Sequence, residues 1–403
     1  MDKQQTLQSQ KVEMIFQAID DKNECVGVYT NGKLNFNNIP SGLSKTWKYS
    51  GSIQDDAVKY AWLYAGGKNL EECCPDEHLE ELIAAQKRLR AFVKSFEIAK
   101  VNLRDHCIYD LIPQDFLLEF CEIKNKITKH VFDNHDKPEN YEHLDSVQKL
   151  LHNIKYNKLN LQISDCKHLL TSTQYRNKVK KIMNNNFIDY NLFGTVTGRL
   201  TTKENSFPIL TLKKEFRQII KPNNDLFVAL DYNGAEVRTL IQLKGENQPQ
   251  EDIHEWNAKH LFEQEVSREE CKVRFFAWLY DPESTEIKTD YYDRESLLNT
   301  WYDGTHIHTP YGRHIKVEER KAFNYLIQST TADRVLEKAV KIHNILQDHK
   351  SYVSHIIHDE IVLDYCDEDR QLIPLIREIF EEDGFMSSVS AGKNGYELKE
   401  LEL

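Results

Sequence analysis

The segment NDLFVALD, residues 224–231, is an apolar strand that ends in an acid. A strand without polar alternation belongs inside a covered sheet, where an unpaired carboxylate costs about 3–5 kcal/mol. Asp231 therefore needs a partner. A second run, SYVSHIIHDEIVLDY over 351–365, sets His358-Asp359-Glu360 between two β-rich stretches. That is the pattern of a hairpin with acids at its tip. Two carboxylates on adjacent strands suit a pair of magnesium ions about 3.5–4 Å apart, clamping the attacking and leaving oxygens of a phosphoryl transfer. Magnesium takes hard oxygens and completes its shell with substrate phosphates. Taken alone, either acid reads more simply as a surface-loop residue.

Two helical patterns bear on the choice. In REECKVRFFAWLY, 268–280, residues Arg268, Lys272, Phe276 and Tyr280 recur every fourth position and form one slowly turning stripe. Two cations followed by two aromatics suit a nucleoside triphosphate, with the cations on phosphates and the rings beside sugar and base. The plainer reading is an amphipathic helix with core aromatics and solvated cations. A longer helical run, 319–346, repeats the spacing with Arg320, Asn324 and Gln328. These side chains suit minor-groove edges and sugars of a duplex, or simply an exposed face.

The rest of the chain supplies the scaffold. GVYTNGKLNF reads as two short strands about Asn31-Gly32. From about 80 to 185 the pattern is helical, as in LEELIAAQKRLRAFVKSFEIA and DFLLEFCEIKNKITKHVF, with apolar residues three and four apart. The expected class is α+β, an antiparallel sheet bearing acids with helices inserted between its strands. Net charge is −12, but between residues 174 and 221 ten Lys or Arg face three acids, and from Asp359 onward thirteen acids face four bases. Basic stretches can track phosphates while an acidic tail meets solvent. Eight cysteines without a CxxC pair argue against a zinc ribbon and for a reduced, cytoplasmic setting. No apolar run is long enough to span a membrane.

Taken together, these blocks resemble the family A DNA polymerases. Asp231-Tyr-Asn-Gly-Ala-Glu236-Val-Arg238 is similar to DYSQIELR, and the 268–280 stripe to RxxxKxxxFGxxYG. Arg320, Asn324 and Gln328 match RxxxNxxxQGT, and His358-Asp359-Glu360 matches HDE. Thr197-Gly-Arg199-Leu-Thr-Thr is similar to TGRLSS, and Asp252-Ile-His254 to the DIH that opens the fingers. The blocks keep the family's order over about residues 190–365.

The resemblance implies a right-hand polymerase, with a palm sheet and helical thumb and fingers. On that pattern residues 1–80 have no assigned role. The thumb falls near 80–150, the palm near 150–245 and 314–403, and shortened fingers near 246–313. It implies that Asp231 and Asp359 bind two Mg2+ ions, with Glu360 as a supporting acid. Arg268, Lys272 and His254 would hold the triphosphate, and Lys272 would protonate the departing pyrophosphate. Phe276 and Tyr280 would pack on sugar and nascent pair, and Glu236 would sit on the 2′ side of the incoming sugar. Arg199, Arg320, Asn324, Gln328 and His358 would line the primer–template DNA.

The implied reaction is addition of dNTPs to a primer 3′ end. Without an upstream Asp-x-Glu set, proofreading is expected to be absent or to sit on a separate exonuclease chain, and a processivity factor is a further possible partner. The compact build would suit a phage in its bacterial host or another mobile replicon. Two alternatives stand: a single-subunit RNA polymerase, disfavoured by Glu236 and Glu360, and a catalytically silent primer–template-binding replisome component, disfavoured by the intact Asp231, Asp359 and Lys272. Departures from the pattern are Ala277 and Asp281 for the two fingers glycines, Ser329 for the glycine of QGT, and Asn233-Gly234 for Ser-Gln.

Overall fold

The computed structural model describes residues 13–401 apart from 21, 23–25, 104–105, 165–169, 263 and 288. The chain divides into two compact units, Met1–Asp145 and Ser146–Leu403.

In the first unit, β1 (Gly27–Thr30) and β2 (Lys33–Phe36) pair antiparallel around Asn31-Gly32. Both turn residues take positive φ, 49° and 74°, which Asn and Gly tolerate and which a tight hairpin demands. The strand β3 (Leu43–Thr46) is flanked in parallel by Met14–Ile15 and Lys59–Tyr60. Two long helices follow, α1 (Asp76–Ile98) and α2 (Gln114–Asn134). One core runs through all of these: Tyr29 and Trp47 from the strand region join Leu82 and Ala85 of α1 and Phe116, Ile127 and Val131 of α2. Gln17 adds bonds of 3.0 Å to both Asn125 and Thr128 on α2. The strands and helices thus share a core across the boundary drawn at residue 80 from sequence, because the short strands cannot bury their apolar side chains alone. Cys107 is disulfide-bonded, a departure from the expectation of wholly reduced cysteines. Spacing along the chain cannot reveal a pair that folding brings together.

The second unit is built on a five-stranded antiparallel sheet. Its centre is β4 (Leu226–Tyr232), bordered on one side by β6 (Glu360–Tyr365) and beyond it β5 (Tyr352–Ile357). On the other side lie β7 (Ser387–Gly392) and β8 (Lys399–Glu400). Phe227, Val228, Ala229 and Leu230 are all buried, as an unalternated apolar run requires. Between β4 and β5 come α3 (Ala235–Lys244), α4 (Ile253–His260), α5 (Arg268–Tyr280), α6 (Arg294–Trp301) and the 28-residue α7 (Glu319–Leu346). Val237, Leu240, Ile253, Phe275, Trp278, Leu297 and Phe323 pack these helices into one cluster. Both helices singled out by four-residue spacing form over the expected bounds. No helix among the described residues is long and apolar enough to cross a membrane.

Candidate active site

The sheet register delivers the acids. Asp231 lies one residue from the end of β4, opposite Glu360 on β6 and Ser388 on β7. Asp359 sits in the two-residue turn between Ile357 and Glu360. His358, the other turn residue, takes φ 56°, a left-handed conformation that His adopts more readily than most side chains. Asp231 and Asp359 line one cleft of about 640 Å³.

The same cleft is lined by Arg268, Lys272, Phe276 and Tyr280, the complete stripe of α5. Phe276 and Tyr280 stack with centroids 6.0 Å apart and planes 16° from parallel. Ser267 caps the start of α5 through the Glu270 amide. Arg294 closes its end, donating to the carbonyls of Trp278, Asp281 and Pro282. A guanidinium at the negative helix terminus makes a glycine there unnecessary and accommodates Asp281 as the C-cap residue.

Arg199, Glu236, His254 and His358 also line the cleft. Glu236 is buried and receives hydrogen bonds from both Arg199 and the Tyr280 hydroxyl. His254 is 3% exposed, 6.0 Å from the Phe276 ring, and its Nδ1 has no hydrogen-bond partner. Burial, helped by the nearby Lys272 and Arg268 charges, lowers its pKa to about 4, so the ring is neutral at neutral pH.

Other sequence candidates lie apart from the cleft lining. Glu360 is half-buried beside it. Arg320 is exposed, 3.4 Å from Glu318. Asn324 donates to the Tyr280 carbonyl at 3.2 Å, and Gln328 is half-buried one turn further along α7.

Asp231 is open to the cleft on one side and enclosed by protein on the other. That enclosure, followed by the charges of Asp359 and Glu360, raises its pKa to about 7 against the opposing pull of Lys214 and Lys272. Burial likewise raises Glu360, offset by Arg217 and Lys214. A cluster of carboxylates that resists full ionisation is a natural cation site. No group of three or more His, Cys, Asp or Glu among the described residues is arranged to hold a metal unaided. Two carboxylates are a hard-oxygen donor set of the kind magnesium takes, leaving the rest of such a shell to water and phosphate oxygens.

The sequence reading missed several supporting groups. Asn233 and Asp252 bridge the end of β4 to α4 and α5. Arg313 forms a two-point ion pair with buried Asp333 at 2.8 and 2.6 Å, and it fills the space beside Gly198, where an added Cβ would stand 2.5 Å from its guanidinium. Asp252 as a helix N-cap is signalled locally by its position before IHE, but its long-range partners are not.

No family model matches the chain. The thermostable DNA polymerase I of Thermus aquaticus is 26% identical over an alignment covering 48% of this chain and 29% of that protein. Its counterpart from Thermus filiformis is 25% identical over the same shares. The aligned part is thus under a third of the length of these relatives. The POL domain of Pol1 from M. smegmatis, solved in complex with DNA primer-template and dNTP, superposes with a TM-score of 0.63 at 12% identity. That superposition covers 95% of this chain and 96% of the POL domain. The chain is thus similar over about half of its length to these bacterial DNA polymerases, and it shares the fold of the solved POL domain.

Proposed function

We propose that the chain is a template-directed DNA polymerase that adds deoxynucleotides to the 3′ end of a primer. The observation that carries this reading is the meeting of Asp231 and Asp359, far apart in sequence, in one cleft with the cation–aromatic face of α5. Bound at the two aspartates, magnesium would supply activation of the 3′-hydroxyl and neutralisation of the triphosphate. Glu360 supports that pair from the adjoining strand position.

The chain's own groups do the positioning. Arg268 and Lys272 meet the triphosphate, and the ammonium of Lys272 is the donor for the pyrophosphate oxygen. Neutral, buried His254 contacts phosphate through a ring proton without adding charge. Phe276 and Tyr280 form the wall against which sugar and base pair settle, and Glu236 occupies the space a 2′-hydroxyl would need. Arg199 and His358 at the cleft, with Arg320, Asn324 and Gln328 along α7, face primer–template. The protein contributes orientation and fixed charge, not a covalent intermediate. The setting is the cytoplasm, and a separate exonuclease or a processivity factor would fit as a further partner.

Primer extension on a labelled DNA hairpin tests this reading. Magnesium-dependent extension with dNTPs is expected, with little from NTPs. Preferential use of NTPs would move the assignment to RNA synthesis, and extension that survives Asp231→Ala would end it.

A further inference from the structure

Between the metal-site strand and the triphosphate-facing helix lies a hub that the reaction scheme above does not use. Asp252 accepts four hydrogen bonds. Its Oδ1 takes the His254 and Glu255 amides at 2.9 and 3.0 Å. Its Oδ2 takes Asn233 Nδ2 at 2.6 Å and Arg268 Nη2 at 2.8 Å. Asn233 in turn accepts, on one oxygen, the Ile253 amide at 2.8 Å and Arg238 Nη2 at 3.1 Å. Arg238 is fully buried and also donates to the carbonyls of Asn233, Pro249 and Glu251. The second terminal nitrogen of Arg268 donates to the exposed Glu269 at 2.6 Å.

A carboxylate beside a polyanion site is unfavourable unless it does something for the cations there. Asp252 lines the cleft together with Arg268. Burial opposes its ionisation, yet Arg268, the Glu255 amide and Asn233 hold its carboxyl well below the usual range, so the charge is permanent. Arginine has a long side chain whose freedom must be lost on binding, and a fixed fork placed in advance loses less of it. Asn233 lies two residues beyond Asp231, so the position of the guanidinium is referred to the same strand end as the metal ligand.

We infer that Asp252, held by Asn233, is a positioning residue that fixes the guanidinium of Arg268 relative to Asp231 for triphosphate recognition. The inference rests on the polymerase reading. The position that carries Asn233 has Ser in the family pattern, and a hydroxymethyl is too short and too poor in hydrogen-bonding atoms to serve Asp252, Ile253 and Arg238 together. The device is therefore one this chain has built from its own departure.

The test is a double-mutant cycle with Asp252→Asn and Arg268→Ala, read as KM for dNTP and kcat in steady-state primer extension. Asn keeps the capping acceptor for the amides, so α4 retains its start. Asp252→Asn should raise KM about tenfold, as expected for one charge-assisted contact, with kcat changed far less. In the Arg268→Ala background the same change should have little further effect, because its partner is gone. Asn233→Ser should raise KM in the same direction, and Asp252→Glu should restore part of what Asn loses. Equal effects of Asp252→Asn with and without Arg268, or a loss confined to kcat or thermal stability, would overturn the inference and leave a simple helix cap. Wild-type protein that fails to extend any primer would instead overturn the polymerase reading.

Discussion

Tyr280 donates its hydroxyl to Glu236, whose other carboxylate oxygen is held by Arg199. Both oxygens are thus engaged, and the carboxylate is fixed at the base of the cleft between α3 and the end of α5. A 2′-hydroxyl entering this space must displace one of these bonds, and an unmet buried polar group costs about 1–3 kcal/mol. Glu236→Ala should therefore raise ribonucleotide use relative to deoxyribonucleotide by at least about tenfold while lowering overall activity. Competition assays with matched dNTP and NTP pairs measure the ratio. An unchanged ratio would reduce Glu236 to a brace for the helix.

The acids at the sheet carry a prediction about rate. Asp231→Ala and Asp359→Ala should each lower primer extension by at least about 10³, given that one preorganised electrostatic contact is worth roughly 10²–10³. DNA binding should persist or tighten, because negative charge leaves the neighbourhood of a polyanion. Gel-shift titration beside single-turnover extension separates the two.

A stability prediction follows from the same site. The pKa of Asp231 rises from 3.8 to about 7 on folding, chiefly through burial. For an acid shifted upward, the cost of ionisation is absent below the unfolded value and complete above the folded one. Asp231→Asn should then leave Tm nearly unchanged at about pH 4 and raise it at about pH 8, without magnesium in the buffer. Differential scanning calorimetry at the two pH values decides; a Tm gain that is equal at both, or a loss at pH 8, contradicts the assigned charge cluster.

Kinetics can separate the two roles proposed for Lys272. Lys272→Ala should raise the dNTP requirement and slow the chemical step together. Lys272→Arg should keep more binding than rate, since a guanidinium is a poor proton donor near neutral pH. Rapid-quench measurements that find only a binding defect would remove the general-acid role.

Gly234 invites an experiment in reversion. It stands where the family pattern has Gln, but its φ is 69° and a Cβ there would meet Ile253 Cγ2 at 2.5 Å. Gly234→Gln should destabilise the protein by about 1–3 kcal/mol despite matching the pattern. Urea titration gives the value, and a neutral result would mean that α4 moves freely away from the strand end.

Much of this was legible because the signals are local. The run 224–231 and the halves of 351–365 state their burial in their own composition, and the helices at 268–280 and 319–346 state their period. The Asn31-Gly32 turn needs nothing beyond two residues that accept positive φ. The opposite holds for Asp252 with Arg268, Arg313 with Asp333, and Glu236 with its two donors. Each of these links residues from different elements, and no periodicity marks which of many polar side chains will meet. The parallel pairing of Leu43–Thr46 was invisible for a related reason: its flanking strands are two residues long, too short to display any alternation.

The two-residue turn at His358-Asp359 has a bearing on how such a chain can change in length. Successive side chains of a strand point to opposite faces, so one residue added or lost within β6, which pairs with β4 from Glu360 to Tyr365, would shift that register and carry the turn, with Asp359, away from Asp231. The outer strand β5 is more tolerant, since it already takes up one extra residue in a register shift between Val353 and His355. The stretch 281–307 carries no comparable phase relation to the acids. Growth or shortening of this chain over evolutionary time should fall in that stretch and spare the turn and β6, and a library of single-codon deletions scored for primer extension would trace the division residue by residue.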